Sequence, residues 1–325
     1  AAAAQTDGAF EVLRSKLVQL QFPIAEGISA SSAYRDVTLR GTSPDSVVEA
    51  TGLPLEHPEL LQLTLYPSLG GVIPVLIAGC RPDFVALVQA LGKKNEPEPI
   101  PDSMGSCLIS NYNNWDRLNE LRRQCESSGS QMSWAEEFRQ HILPHKTLYQ
   151  DRFFILSSDI YSDVPAAELQ LPDDEWRDLS LTIRLEHEAT HYLTLRLYSQ
   201  LRTNVLDELW ADYRGIIAAL GHYRADWFLR FMGLHNYPAY QPGARLENYR
   251  GALSDEAFTV LQGLVKDAAQ NLEHIDRHYA DQQANGEAQS RLLLALTCLA
   301  LEELAAQNAL ESVQEIVGSF EENSP

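Results

Sequence analysis

The stretch LTIRLEHEATHYLTLRLYSQLRTNVLDELWADYRG, residues 181–215, predicts two consecutive helices in a buried part of the fold. Apolar residues recur on several sides of both segments, which is typical of core helices, and Asn204 is placed to cap the second one. Yet the centre of the first helix carries His187, Glu188 and His191. Burying such polar groups without partners costs roughly 1–3 kcal/mol each. The three side chains therefore need a partner, and a metal ion is one that fits them.

The two histidines have the spacing of metal ligands. His187 and His191 are four residues apart, so they share one face of a helix. At this spacing both imidazoles can reach one zinc ion at ~2.0–2.1 Å. Glu188 points to the side, where it can hold an attacking water as a general base without being a ligand. The alternative is an ordinary buried or half-exposed helix whose histidines bond to carbonyl oxygens.

The second helix offers carboxylates for a third ligand. If the helices form an antiparallel hairpin that turns near Ser199 and Gln200, His191 and Glu208 each lie roughly 13 Å from the turn along the helix axes. They would then face each other. Glu208 would complete a set of two histidines and one carboxylate, with a fourth position open, as in catalytic zinc sites. Asp207 is an alternative third ligand.

Asp212 lies one turn beyond Glu208 on the same helix face. It could accept the ring N–H of His187 and fix the tautomer of that ligand, and it is the other alternative third ligand. The competing interpretation is an exposed acidic helix face. Neighbours such as Leu209 and Trp210 argue against that interpretation, because they leave little of the helix to solvent.

Residues 187–215 resemble the zincin metallopeptidases, specifically the thermolysin-like gluzincin branch. Members of that branch have the His-Glu-x-x-His motif on one helix, a glutamate on the next, and an aspartate four residues later. The resemblance implies zinc as the cofactor, His187, His191 and Glu208 as its ligands, Glu188 as the general base, and Asp212 as the aspartate that supports a ligand. It also implies a zincin-like fold. The flanking sequence looks like that of uncharacterised bacterial proteins that carry the same block.

The predicted function is a zinc-dependent metallohydrolase, in first place a peptidase acting on a peptide or protein substrate. Zinc would activate water and polarise the scissile carbonyl, and Glu188 would carry the proton to the leaving amine. Two alternatives stay open. One is a non-enzymatic zincin-fold protein that binds a peptide or protein partner and has a structural or degenerate metal site. The other is an enzyme that uses the same ligands for a different hydrolysis.

An oxyanion-stabilising tyrosine or histidine is also needed for peptide hydrolysis, and the sequence does not single one out. The candidates are Tyr223, His222, His235, His274 and His278. His141 and His145 are four residues apart as well, but Pro144 breaks the helix geometry between them. We predict no ligand role for that pair.

The composition excludes several classes of partner. The 25 Lys and Arg against 45 Asp and Glu give a net charge of −20, which argues against nucleic acid and anionic membrane surfaces as partners. The 4 cysteines are widely spaced, which favours reduced thiols over a disulfide framework. No apolar run approaches the ~18 residues of a transmembrane helix. A start unlike a signal peptide and the lack of Asn-x-Ser/Thr sites predict a cytoplasmic protein; the oligomeric state is not predicted.

The predicted fold class is α+β, with a domain boundary in the proline-rich run KKNEPEPIPDS, residues 93–103. Residues 1–98 are expected to form a mixed α/β domain, and residues 99–325 a mainly helical, zincin-like, metal-binding domain. In the first part we predict helices at 10–20, 43–53 and 81–92, a strand at 36–41, and a hairpin of strands at 60–67 and 71–79. In the second we predict a strand at 152–162, similar in type to the substrate-aligning edge strand of gluzincins, and helices at 113–126, 133–143, 173–200, 204–220, 254–280 and 287–317.

Overall fold

The chain splits into two compact units, which comprise residues 1–67 with 72–159 and residues 68–71 with 160–325. The computed structural model describes residues 8–128, 132–198, 204–280 and 286–322. A small sheet and several helices form the first unit, and the described residues of the second are mainly helical. The predicted α+β class is confirmed.

The first unit is built on a 4-stranded sheet. Its strands are β1 (Gln62–Ser68), β2 (Gly71–Ala78), β3 (Ser106–Asn113) and β4 (Gln150–Ser157). Its helices are α1 (Ala9–Lys16), α2 (Ser32–Arg40), α3 (Arg81–Gly92), α4 (Trp115–Ser127) and α5 (Trp134–Glu137). The strand order is β1-β2-β4-β3, in which β2 is parallel and β3 antiparallel to β4. The predicted hairpin of β1 and β2 is confirmed, and so is α3.

The core of this unit lies between the sheet and α3. Strand β4 is buried from Phe153 to Ser157, as expected for a central strand covered on both faces. Helix α3 has a proline in its first turn, which suits that position because its missing N–H is not needed there. It contributes Phe84 and Leu87 to the same core cluster as Ile155. The apolar run that predicted α3 is therefore its sheet-facing side.

Two local predictions in this unit are wrong. DVTLRG, residues 36–41, continues α2 in place of forming a strand. Ser31 caps α2 by accepting from the N–H of Tyr34, and Gly41 ends it with a φ of 75°, so the end signals outweigh the β-branched residues between them. The run 43–53 forms one short 3-10 turn where a helix was predicted.

The chain divides after Asp159, and not after residue 98 as predicted. Strands β3 and β4 both follow the predicted boundary, yet they complete the sheet that contains β2. The proline-rich run is also fixed within its own unit, because the buried side-chain amide of Asn95 donates to the carbonyl oxygens of Gln19 and Phe22. Proline content alone therefore does not make this run a linker.

The second unit contains the helices that carry the predicted site. They are α6 (Asp173–Tyr198), α7 (Val205–Leu220), α8 (Ala225–Phe231), α9 (Asp255–His278), α10 (Gly286–Thr297), α11 (Leu301–Leu304) and α12 (Ala309–Glu322). Helices α6, α7 and α9 confirm the predictions for 173–200, 204–220 and 254–280. The helix predicted at 287–317 is divided into α10, α11 and α12. The predicted turn at Ser199 and Gln200 lies outside the described residues.

Helices α6 and α7 pack against each other in antiparallel orientation. Near one end of the pair, a β-carbon placed on Gly215 would lie 2.7 Å from the carbonyl oxygen of Ile183. Near the other end, the ring of His191 lies 3.5 Å from the carboxylate of Glu208. The later residues of one helix thus meet the earlier residues of the other. The two backbones approach so closely at Gly215 that a larger residue does not fit without movement.

Buried aromatic side chains, some of them on α6 and α7 themselves, pack closely around this helix pair. Trp176 and Trp210 are almost fully buried, and the indole N–H of Trp176 donates to the carbonyl oxygen of Val164 at 2.7 Å. The ring of Tyr161 packs edge-on against Phe231, with centroids 5.1 Å apart. Close packing of this kind restricts the rotamers of the neighbouring side chains.

Two further predictions concern the whole chain. Across the helices that the structure describes, none has the length and apolarity needed to cross a bilayer. All four cysteines are free thiols, as predicted, with Cys298 exposed and the others partly buried.

Candidate metal centre

Three of the predicted site residues meet at one point in the second unit. The Nε2 atoms of His187 and His191 are 3.0 Å apart. The Glu208 carboxylate places Oε2 at 3.5 Å from Nε2 of His187 and Oε1 at 3.5 Å from Nε2 of His191. One ligand atom from each residue lies within 4.8 Å of the others, and no other such group of three occurs among the described residues.

The helix pair explains why these side chains converge. Asn204 caps α7, because its Oδ1 accepts from the N–H groups of Leu206 and Asp207. The cap starts the helix so that Glu208 falls in its first turn, where the helix dipole favours a carboxylate. Since α6 runs antiparallel to α7, the residue opposite that turn is His191. The site is therefore a product of helix register and helix capping.

Asp212 fixes the orientation of one imidazole. Its Oδ1 accepts from Nδ1 of His187 at 2.7 Å and from the hydroxyl of Tyr161 at 2.5 Å. Because Nδ1 carries the proton, Nε2 of His187 keeps its lone pair toward the other ligand atoms. Asp212 thus sits on the far side of the ring from the ligand group. Of the three carboxylates considered from the sequence, Glu208 is the one that joins the group, while Asp207 and Asp212 do not.

The two carboxylates are buried but ionised. Glu208 is 8% exposed and Asp212 is 0% exposed. Burial alone would raise the pKa of both groups, but the positive charge of Arg245 and hydrogen bonds from the histidines hold the pKa of each below its usual range. Burial by itself would lower the pKa of His191; the hydrogen bond to Glu208 and the charge of Glu188 outweigh it and raise that pKa.

The donor set fits a divalent metal ion. Two imidazole Nε2 atoms and one carboxylate are the ligand types of zinc sites that keep a position open. Two Nε2 atoms that face each other at 3.0 Å need a proton or a cation between them, and a metal ion would meet that need. Glu188 is half-buried on α6 between the two histidines in sequence, and its charge acts on His191. It is thus placed beside the group without belonging to it.

Residues 1–308 match the model of one protein family, described as a family of unknown function, DUF7005. The chain belongs to this family. No curated protein and no solved structure matches it. The DUF7005 match spans both units and includes every residue of the candidate metal centre. What the geometry shows in this DUF7005 protein is a buried His-His-Glu group that fits a metal ion; membership of the zincins stays a prediction.

Sequence reasoning missed Tyr161, Tyr249 and Arg245 of the DUF7005 site, and Arg245 is the one that binds both carboxylates. It lies on the 3-10 helix Arg245–Tyr249, and its guanidinium donates to both Glu208 and Asp212, with Nη1 at 2.9 Å from Oδ2 of Asp212. The same nitrogen lies 3.2 Å from the hydroxyl of Tyr161. Nothing in the local sequence PGARLENYR marks this arginine, because the segment has no helical period and no motif spacing.

The histidines and the tyrosine considered for oxyanion stabilisation do not join the ligand group in this DUF7005 protein. Tyr223 is buried, and its N–H donates to Asp276. The others, all among the described residues, are His222, His235, His274 and His278. His141 and His145 are exposed. A tyrosine that was not considered, Tyr249, lies beside the group: burial raises its pKa, and Arg245 and Glu208 both act on its hydroxyl.

Proposed function

We propose that this protein is a zinc-dependent metallohydrolase, and specifically a peptidase, with His187, His191 and Glu208 as metal ligands. The observation that carries the proposal is the convergence of the three ligand atoms within 4.8 Å in a buried site, with the carboxylate of Glu188 on the same helix. Three protein ligands of types N, N and O are the set of catalytic zinc sites, which keep a fourth position for water or substrate.

Each residue of the chain has a distinct role in this proposal. The metal supplies Lewis acidity that activates water and polarises a carbonyl. Glu188 takes the proton of the attacking water and passes it to the leaving amine. Asp212 and Tyr161 hold the proton of His187 on Nδ1, so that Nε2 is free to bind. Tyr249, with its raised pKa, stays a neutral hydroxyl that can donate to an oxyanion.

The proposed substrate class rests on the net charge and on the proposed chemistry. A net charge of −20 disfavours polyanions and anionic membrane surfaces, and the proposed chemistry acts on amides. We infer that the substrate is a peptide or protein. A cytoplasmic location stays a prediction from the sequence.

One observation favours a second candidate function, a non-enzymatic protein with a structural metal site. Glu208 already has a cationic partner in Arg245, so the group is partly neutralised by the chain itself. A protein of this kind would bind a peptide or protein partner, and metal would contribute to stability alone.

Metal analysis and two variants separate these functions. We expect purified wild-type protein to carry about one zinc per chain, and His187→Ala to lose it. Glu188→Gln should keep the metal and lose hydrolysis of a mixed peptide library followed by mass spectrometry, because it removes the base but no ligand. A wild type that cannot bind zinc would remove the basis of the site. Equal hydrolysis by Glu188→Gln would reject the general base, and zinc binding without any cleavage would favour the structural role.

A further inference from the structure

Arg245 binds the same carboxylate that the two histidines face. Its Nη2 donates to Oε2 of Glu208, and its Nη1 donates to Oδ2 of Asp212 at 2.9 Å. Its side chain is 16% exposed, against 11% for Glu208 and 0% for Asp212. One guanidinium is therefore the shared counter-charge of two buried carboxylates, and one of these is the proposed third ligand.

The two ends of the guanidinium are held differently. Nη1 has three acceptors, since it also lies 3.2 Å from the hydroxyl of Tyr161 and 3.3 Å from Oγ of Ser162. The guanidinium carbon is 5.6 Å from the centroid of the Tyr161 ring, within the range of a cation–π contact. Nη2 has Glu208 and a longer contact of 3.4 Å to Oδ1 of Asp212. The Nη1 end of the arginine is thus held at Asp212. A metal ion would compete only for the acceptor of the Nη2 end, the carboxylate of Glu208.

Two cations that share one carboxylate lie about 5 Å apart, given usual ligand distances. At that separation a divalent and a monovalent cation repel each other strongly, even at the effective dielectric of a protein surface. Arg245 also holds the Glu208 side chain in one rotamer. This raises metal affinity, because the side chain does not have to be ordered when the metal binds. That gain is at most about ten- to thirty-fold in affinity, which is smaller than the repulsion.

We propose that Arg245 is a positioning residue that lowers the affinity of the His187–His191–Glu208 site for a divalent metal ion by competing with the ion for Glu208. The proposal rests on the metal site of the proposed function. Arg245 keeps the carboxylates paired when metal is scarce, so the site stays assembled and metal binding becomes reversible. Without this arginine, the two buried carboxylates would lose their shared guanidinium counter-charge, and the metal would be held more tightly.

The test is zinc affinity, measured by competition with a chromophoric chelator at constant pH. We expect Arg245→Met and Arg245→Gln to bind zinc at least about ten-fold more tightly than the wild type. Arg245→Lys restores a positive charge and should stay within a few-fold of the wild type. Arg250→Met is the matched control. Arg250 pairs with Glu247 and Asp255 away from the ligand group, so its loss should leave zinc affinity unchanged.

Thermal unfolding is a second measurement of the role of Arg245. In EDTA, both Arg245→Met and Arg245→Gln should unfold at a lower temperature than the wild type, and added zinc should raise their unfolding temperatures by more than it raises that of the wild type. Gln retains hydrogen bonding without charge, so it covers the case in which Met prevents folding.

The outcomes separate the two proposals. If the wild type binds zinc and both neutral variants bind it equally or more weakly, the role of Arg245 is overturned while the metal site stands. If neither the wild type nor any variant binds zinc, the proposed function and the role of Arg245 fail together.

Discussion

Replacing Gly215 by alanine tests whether the approach of α6 and α7 creates the metal centre. The added methyl would lie 2.7 Å from the carbonyl oxygen of Ile183 and 3.0 Å from its Cγ2. The nearest atom belongs to the backbone of α6, so no side-chain rotation relieves the clash. Helix α7 must withdraw by roughly half an ångström or more, and Asp212 and Glu208 lie one and two turns away on that helix.

The magnitude follows from two opposing terms. Overpacking of this kind costs about 1–3 kcal/mol, and alanine recovers up to ~1 kcal/mol of helix propensity over glycine. We therefore expect the free energy of unfolding to fall by up to about 2 kcal/mol. The displaced carboxylates should lower zinc affinity by about ten-fold, the lower end of the loss seen when a ligand's support is disturbed.

Gly318→Ala is the control, because Gly318 lies inside α12 and a β-carbon there meets nothing within 4 Å. It should gain about 0.5–1 kcal/mol of stability and leave zinc affinity unchanged. The assays are urea unfolding in EDTA and chelator competition. If Gly215→Ala is stabilised as much as the control and binds zinc like the wild type, the helix crossing does not position the ligands as we have argued.

Three further predictions concern individual site groups. Asp212→Asn removes the negative charge that accepts from Nδ1 of His187, and it should weaken zinc binding about ten- to a hundred-fold. An unchanged dissociation constant in chelator competition would contradict this. Tyr249→Phe should lower kcat about a hundred-fold with little change in KM, measured on any peptide that the wild type cleaves, and an unaltered kcat would remove Tyr249 from the mechanism. Glu208 and Asp212 have a depressed pKa in the folded protein, so their contribution to stability is present above the usual carboxylate pKa and is lost as pH falls through the folded value. Urea unfolding in EDTA should therefore show stability declining from about pH 5 downward, and a flat profile would mean that the pair is not ionised in the fold.

The convergence of His187, His191 and Glu208 could be predicted because its information is local. His187 and His191 are one turn apart, and Asn204 sets the start of the helix that presents Glu208. Helical period and capping fix the relative positions of these residues, with Asp212 one turn further on. The structure brings together the side chains that the sequence selected.

Arg245 could not be predicted because its information is not local. It lies on a short 3-10 helix that no motif or long period marks, and it reaches Asp212 across 33 positions of the chain. No periodicity links the two residues, and an arginine in a loop is usually solvated. Only the three-dimensional packing of the second unit reveals its partners.

The errors in the predicted fold have both local and non-local origins. DVTLRG has the composition of a strand, but Ser31 and Gly41 place it inside a helix. Strand β3 was not predicted at all; its pairing with β4 has an irregularity between Ile109 and Tyr112, and irregular pairing of this kind interrupts the two-residue alternation that marks a strand. The domain boundary was set by prolines, whereas the actual division depends on which strands pair.

The Asp212 carboxylate has a consequence for how the nascent chain folds. Its donors come from Tyr161, His187 and Arg245, and the ribosome delivers them in that order. When α7 has emerged but residue 245 has not, Asp212 can meet the first two donors, while the guanidinium that balances its charge is still inside the ribosome. Burying the helix pair at that stage would leave two carboxylates without the guanidinium that pairs with both, which is unfavourable. We therefore expect the pair to complete its docking only after residue 245 has left the ribosome, which would make the candidate metal centre a late product of synthesis.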